Sequence, residues 1–148
     1  MIKSINISHI WVFDQDEALD FYVGKLGLKV SADMVFGGEM RWLTVRPKGV
    51  TDRDILLEKA APPSVDPEAA KQIRELVSKG ASGFAVGFVT DDAHAMCEAL
   101  RAKGVEITEE PTQQFYGIDF AVRDPFGNRI RFVQYTQAGD GVPNPGQP

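Results

Sequence analysis

The chain has 148 residues, with 16 basic and 21 acidic side chains and a formal net charge of −5. Its content of 43% hydrophobic and 9% aromatic residues suits one compact domain, or two small modules sharing a core, and excludes disorder for the bulk of the chain. An acidic chain without a basic run is a poor nucleic-acid binder, no apolar stretch nears the ~20 residues of a membrane span, and one cysteine cannot make an internal disulfide.

The run ISHIWVF (7–13) predicts a strand, with Ile10 and Val12 on one side and His9, Trp11 and Phe13 on the other. Asp14 or Asp16 caps the helix that follows, whose apolar face is Ala18, Leu19, Tyr22 and Leu26, and Gly27 ends it. VSADMVF, MRWLTVR and DILLEKA predict three more strands, separated by turns at Gly37-Gly38 and Pro47-Lys48-Gly49. Residues 61–82 read as a linker containing a short helix. Asp66, Pro67 and Glu68 supply its cap, first-turn proline and early acid, and Ile73, Leu76 and Val77 its buried stripe.

GFAVGFV (83–89) is the next strand. Phe84, Val86 and Phe88 are expected on the helix side and the small Ala85 and Gly87 on the opposite, pocket side. Asp91 or Asp92 caps a helix that buries Met96, Cys97 and Leu100 and stops at Gly104. VEITEE, YGIDFAVR and RIRFVQY are the last strands, with a turn at residues 124–128. Residues 137–148 have no apolar periodicity and are expected to form a flexible tail.

The chain also matches itself at a shift of 78: Asp14 falls on Asp92, Pro47 on Pro125 and Gly49 on Gly127. Each half reads strand, helix, three strands. The expected fold is therefore α+β, from two tandem βαβββ modules (4–60 and 83–136) within one domain spanning 4–136.

The segments FYVGKLGLKV, DDAHAMCEALRAKGVEI and RDPFGNRIRFVQ, in this order, resemble the vicinal oxygen chelate superfamily, which includes glyoxalase I, extradiol dioxygenases and bleomycin-resistance proteins. The resemblance implies that each module curls a mixed sheet around a cavity. It also implies four metal-ligand positions, on the first and last strands of each half. Counting from the motif residues puts Ile7, Leu56, Ala85 and Arg131 there. The first three have no donor, and the guanidinium of Arg131 repels a cation. His9 and Glu58 lie two residues beyond Ile7 and Leu56, so each faces the same side one step along its strand.

The expected ligand-binding residues are His9, Trp11, Trp42, Glu58, Tyr116 and Arg131, with no metal and no cofactor. Arg131 would hold an anionic or carbonyl group, or else form a structural ion pair with Asp119, Glu58 or Asp54. Trp11 and Trp42 offer stacking surfaces, and Tyr116 a hydroxyl at a pocket mouth. The expected function is metal-free binding of a small organic molecule, antibiotic sequestration being one form. The alternative is a metal-dependent lyase, isomerase or dioxygenase of the glyoxalase type with a displaced metal at His9 and Glu58. Metal-free acid–base catalysis by His9, with Arg131 holding an oxyanion, is a third reading. The resemblance implies a homodimer. The lack of a leader-like apolar stretch and the single cysteine point to the cytoplasm.

Overall fold

The computed structural model describes residues 1–136. In chain order these form β1 (Ile7–Val12), α1 (Gln15–Leu19), a π-helical continuation (Asp20–Lys25), β2 (Lys29–Phe36), β3 (Met40–Arg46), β4 (Asp54–Lys59), α2 (Pro67–Ser78), β5 (Phe84–Val89), α3 (Ala93–Ala102), β6 (Glu106–Gln114), β7 (Gly117–Arg123) and β8 (Arg129–Tyr135). The strands make two open four-stranded sheets, ordered β1-β4-β3-β2 and β5-β8-β7-β6. In each sheet the outer pair, β1 with β4 and β5 with β8, is parallel and the remaining pairs are antiparallel. The chain is α+β, as its pattern predicts. The tail expected over 137–148 lies outside the described residues. Among the described residues no helix is long and apolar enough to cross a membrane.

The described chain divides into two compact units, Met1–Gly83 with Pro125–Asn128, and Phe84–Asp124 with residues 129–136. In the first, strand alternation sends Ile10, Val12, Leu43, Val45, Ile55 and Leu57 into the core beside Ala18, Phe21 and Tyr22. Fully burying each large apolar side chain contributes roughly 1.5–3 kcal/mol. Asp14 caps α1 through the Glu17 amide, and Asp66 caps α2 through that of Ala69. The apolar face expected for the first helix needs correcting. Phe21 is buried with Ala18 and Tyr22, whereas Leu19 and Leu26 are only half-buried. Ala18, Phe21 and Tyr22 keep the ordinary i, i+3, i+4 stripe, beside which Leu19 lies, and the wider π-helical pitch over Asp20–Lys25 carries Leu26 off it. In α2 the buried residues are Ala70 and Val77, while Leu76 is 52% exposed and Ile73 half-buried.

In the second unit Phe120, Val122, Ile130 and Phe132 pack beneath Ala93, Cys97 and Leu100 of α3, and Met96 is half-buried. Asp92 caps α3 through the Ala95 amide. Phe120 stacks on Phe132 with centroids 4.8 Å apart and planes 9° from parallel. Strand β6 runs past Pro111 because it lies at the sheet edge, where a missing amide costs no ladder bond, and its register shifts between Glu109 and Thr112.

Candidate ligand-binding site

The second unit carries a cavity of about 320 Å³ bordered by β5, β7 and β8. Phe84, Gly87, Phe88 and Val89 of β5 line it, with Tyr116 and Asp119 at the start of β7 and Arg131, Phe132, Val133 and Tyr135 of β8. The pattern on β8 follows from alternation. Ile130 is buried toward α3, so Arg131 and Val133 take the other face. Position 87 is open because glycine stands there, as the sequence suggests. Phe84, however, is not on the helix side. A bulge between Phe84 and Val86 shifts the alternation, leaving Phe84 56% exposed, and its ring edge lies 3.4 Å from where a Cβ on Gly87 would stand. The cavity therefore gains an aromatic wall that strict alternation denies it.

Arg131 lines this cavity and is also ion-paired. Its Nη2 lies 2.9 Å from Asp119 Oδ2 and 3.0 Å from Glu109 Oε2. The Tyr116 hydroxyl donates to the same Asp119 oxygen. Asp119 is only 4% exposed. Burial pushes its carboxyl up, but the Tyr116 hydroxyl and the Arg131 guanidinium outweigh that and hold it below the ordinary carboxylate range. The same hydrogen bond, aided by burial, raises the Tyr116 phenol, which stays neutral at physiological pH. Glu109, then Asp119, keep the Arg131 guanidinium firmly protonated, against the opposing effect of burial.

Sequence reading names Asp119 as a partner of Arg131 and misses Glu109. Glu109 pairs with Ala121 across β6–β7, and Ala121 with Arg131 across β7–β8. The three form one row, and the methyl group of Ala121 leaves room for the two long side chains to meet over it. The signal was the small residue between two opposite charges, but the bulges of β6 hide the register. The other two carboxylates considered for Arg131 are engaged elsewhere. Asp54 lies 2.7 Å from Arg46, and Glu58 2.8 Å from His9.

The remaining candidates lie in the first unit. Residues 9 and 56 are partners in the parallel β1–β4 ladder, so Glu58 sits one step diagonally from His9. His9 Nε2 donates to Glu58 Oε1 at 2.8 Å, and the edge of the imidazole meets the half-buried Trp11 with centroids 4.4 Å apart. Trp42, also half-buried, is on β3, with β4 between it and Trp11, and pairs with Met34 of β2. His9, Trp11 and Glu58 are thus brought together, and so, separately, are Tyr116 and Arg131.

The donor set does not fit the metal that the fold family implies. Ile7, Leu56 and Ala85 present hydrocarbon, and Arg131 is a cation held by two carboxylates. His9 and Glu58 supply two donors, and among the described residues no group of three His, Cys, Asp or Glu side chains is placed to hold an ion.

Comparison with known proteins agrees with this architecture. The crystal structure of UcmS2 is 34% identical, covers 90% of this chain and 98% of its own, and superposes with a TM-score of 0.85. TnmS3, an antibiotic binding protein from Streptomyces sp. CB03234, is 30% identical with a TM-score of 0.71, over 91% of this chain and 98% of its own. The uncharacterized protein YurT of Bacillus subtilis (strain 168) is 34% identical over 131 residues, 88% of this chain and 98% of its own. Residues 4–132 match the family model of the Glyoxalase/Bleomycin resistance protein/Dioxygenase superfamily, and the chain belongs to that superfamily.

Proposed function

We propose that the protein binds and sequesters a small organic molecule without a metal, the molecule being an antibiotic or a compound of similar size and aromatic character. The observation that carries this is the cavity of the second unit: about 320 Å³, walled by Phe84, Phe88, Phe132, Tyr116 and Tyr135, with an ion-paired arginine where the family resemblance implies a metal ligand. Such a volume admits a fused aromatic system, and stacked or edge-to-face ring pairs contribute roughly 0.5–1.5 kcal/mol each beyond burial. The likeness to TnmS3, described as antibiotic-binding, supports the same reading.

Thermal-shift screening against a panel of aromatic antibiotics tests it. A true ligand at 100 times its dissociation constant adds roughly 2.7 kcal/mol and raises the melting temperature accordingly. No shift across the panel would count against antibiotic binding. Metal analysis of protein purified without chelators tests the second part, with less than stoichiometric nickel, zinc, manganese or iron expected. The bond between His9 and Glu58 keeps one competitor alive. A metal bound once per chain and lost in the His9→Ala variant would favour a glyoxalase-type enzyme with a displaced site.

A homodimer belongs to the same proposal. Met34 and Phe36 of β2 are exposed, and an open four-stranded sheet leaves an apolar face that one chain covers poorly. Sedimentation at micromolar concentration should return twice the chain mass, and a monomer would refute this part.

A further inference from the structure

On the reading that this cavity is the binding site, we infer that it selects uncharged or cationic aromatic molecules and rejects carboxylates, although an arginine lines it. An arginine in a pocket ordinarily attracts anions, and in sequence alone Arg131 points that way. The geometry reverses this. Arg131 meets Asp119 at 2.9 Å and Glu109 at 3.0 Å, so two carboxylates face one guanidinium and leave one net negative charge beside the cavity. Among the described residues no other cation lines the cavity; its remaining side chains are Phe84, Phe88, Val89, Phe132, Val133 and two tyrosines. Asp119 is almost without water, so its charge is poorly screened and reaches a ligand more strongly than a surface charge would.

Both contacts run through Nη2 of Arg131. A guanidinium carries five N–H donors, more than these two contacts use, which leaves it able to donate to an uncharged acceptor such as a carbonyl oxygen. An incoming carboxylate would have to compete with Asp119 and Glu109 for the same cation and bring a third negative charge to it. An ammonium group would instead be drawn by the net negative charge of the cluster, to which Glu109, 57% exposed and 3.0 Å from Arg131 at the cavity wall, contributes. The aromatic walls suit a flat ring carrying either group.

Three probes with one ring system and different charge decide the matter: 2-naphthylmethylammonium, 2-acetylnaphthalene and 2-naphthoate. Each is titrated into the full chain at neutral pH and low salt, with amide NMR shifts reporting both affinity and place. The expected result is that the ammonium probe binds at least about tenfold more tightly than naphthoate, with the ketone between them. Shifts should centre on Gly87, Val89 and Val133. Glu109→Gln removes one exposed charge and leaves the pairing of Arg131 with Asp119. It should cut the preference for ammonium over carboxylate by at least about threefold. Naphthoate binding as tightly as the ammonium probe, a preference unmoved by Glu109→Gln, or shifts away from β5 and β8 would each overturn the inference while leaving small-molecule binding intact. Failure of all three probes to bind would instead remove the cavity reading, and this inference with it.

Discussion

Arg131→Met would strand a carboxylate that has almost no water. Asp119 keeps the Tyr116 hydroxyl and the Gln114 side chain but loses its cation, so unfolding free energy should fall by about 1.5–3 kcal/mol, the worth of hydrogen bonds to a charged group. Urea denaturation measures this. Adding Asp119→Asn should recover part of the loss, because the uncompensated charge goes with it. Full additivity of the two losses would show that the pair is not coupled. The network also sets a pH dependence with opposite signs at its two ends. The folded pKa of Asp119 is depressed, so its contribution is present above the unfolded value near 3.9 and is lost as pH falls through the folded value. The folded pKa of Tyr116 is raised, so its contribution is present below about 10 and is lost as pH rises through the folded value. The stability difference between the parent and Tyr116→Phe should accordingly be flat from pH 6 to 9 and shrink at higher pH. A difference that stays constant to pH 11 would place the phenol outside the network.

The strands and helices were legible because their signals are local. Asp14, Asp66 and Asp92 mark three helix starts, and alternation assigns Arg131 and Val133 to the open face of β8. What escaped was irregularity. The bulge in β5 puts Phe84 in the cavity wall, the π-helical stretch carries Leu26 off the buried stripe, and the register shifts in β6 bring Glu109 over Ala121. Each adds or removes one residue from a period, and a change of one residue reverses a side chain's direction in a strand. The sequence carries no local mark for it. The connection between β7 and its neighbour is less forgiving. Gly117 has φ +146°, and a Cβ there would collide with the carbonyl oxygen of Gln134 on β8. Gly117→Ala should therefore cost about 2–4 kcal/mol, from backbone strain and a parted ladder. Thermal melting beside Gly49→Ala, a positive-φ glycine with open space around its Cβ position, separates the collision from the strain that both share.

At the scale of the whole molecule, two modules of one pattern carry different groups of side chains. The first carries a histidine–glutamate pair beside a tryptophan, the second an aromatic cavity with an arginine held between acids. The first unit is also not a continuous stretch of chain. Pro125–Asn128, from the turn between β7 and β8, belongs to it. Phe126 packs on Phe13 at 5.2 Å, and Asn128 donates from Nδ2 to the Trp11 carbonyl oxygen at 2.8 Å. A Cβ on Gly127 would strike the Val77 carbonyl oxygen. A gene fragment ending at Gly83 encodes a module missing part of its own floor. Such a fragment should melt well below the full chain, whereas a circular permutant that opens the chain between residues 83 and 84 and joins the old ends keeps the turn and should retain most of the stability. Late in synthesis the emerging turn would complete a module whose other strands left the ribosome long before.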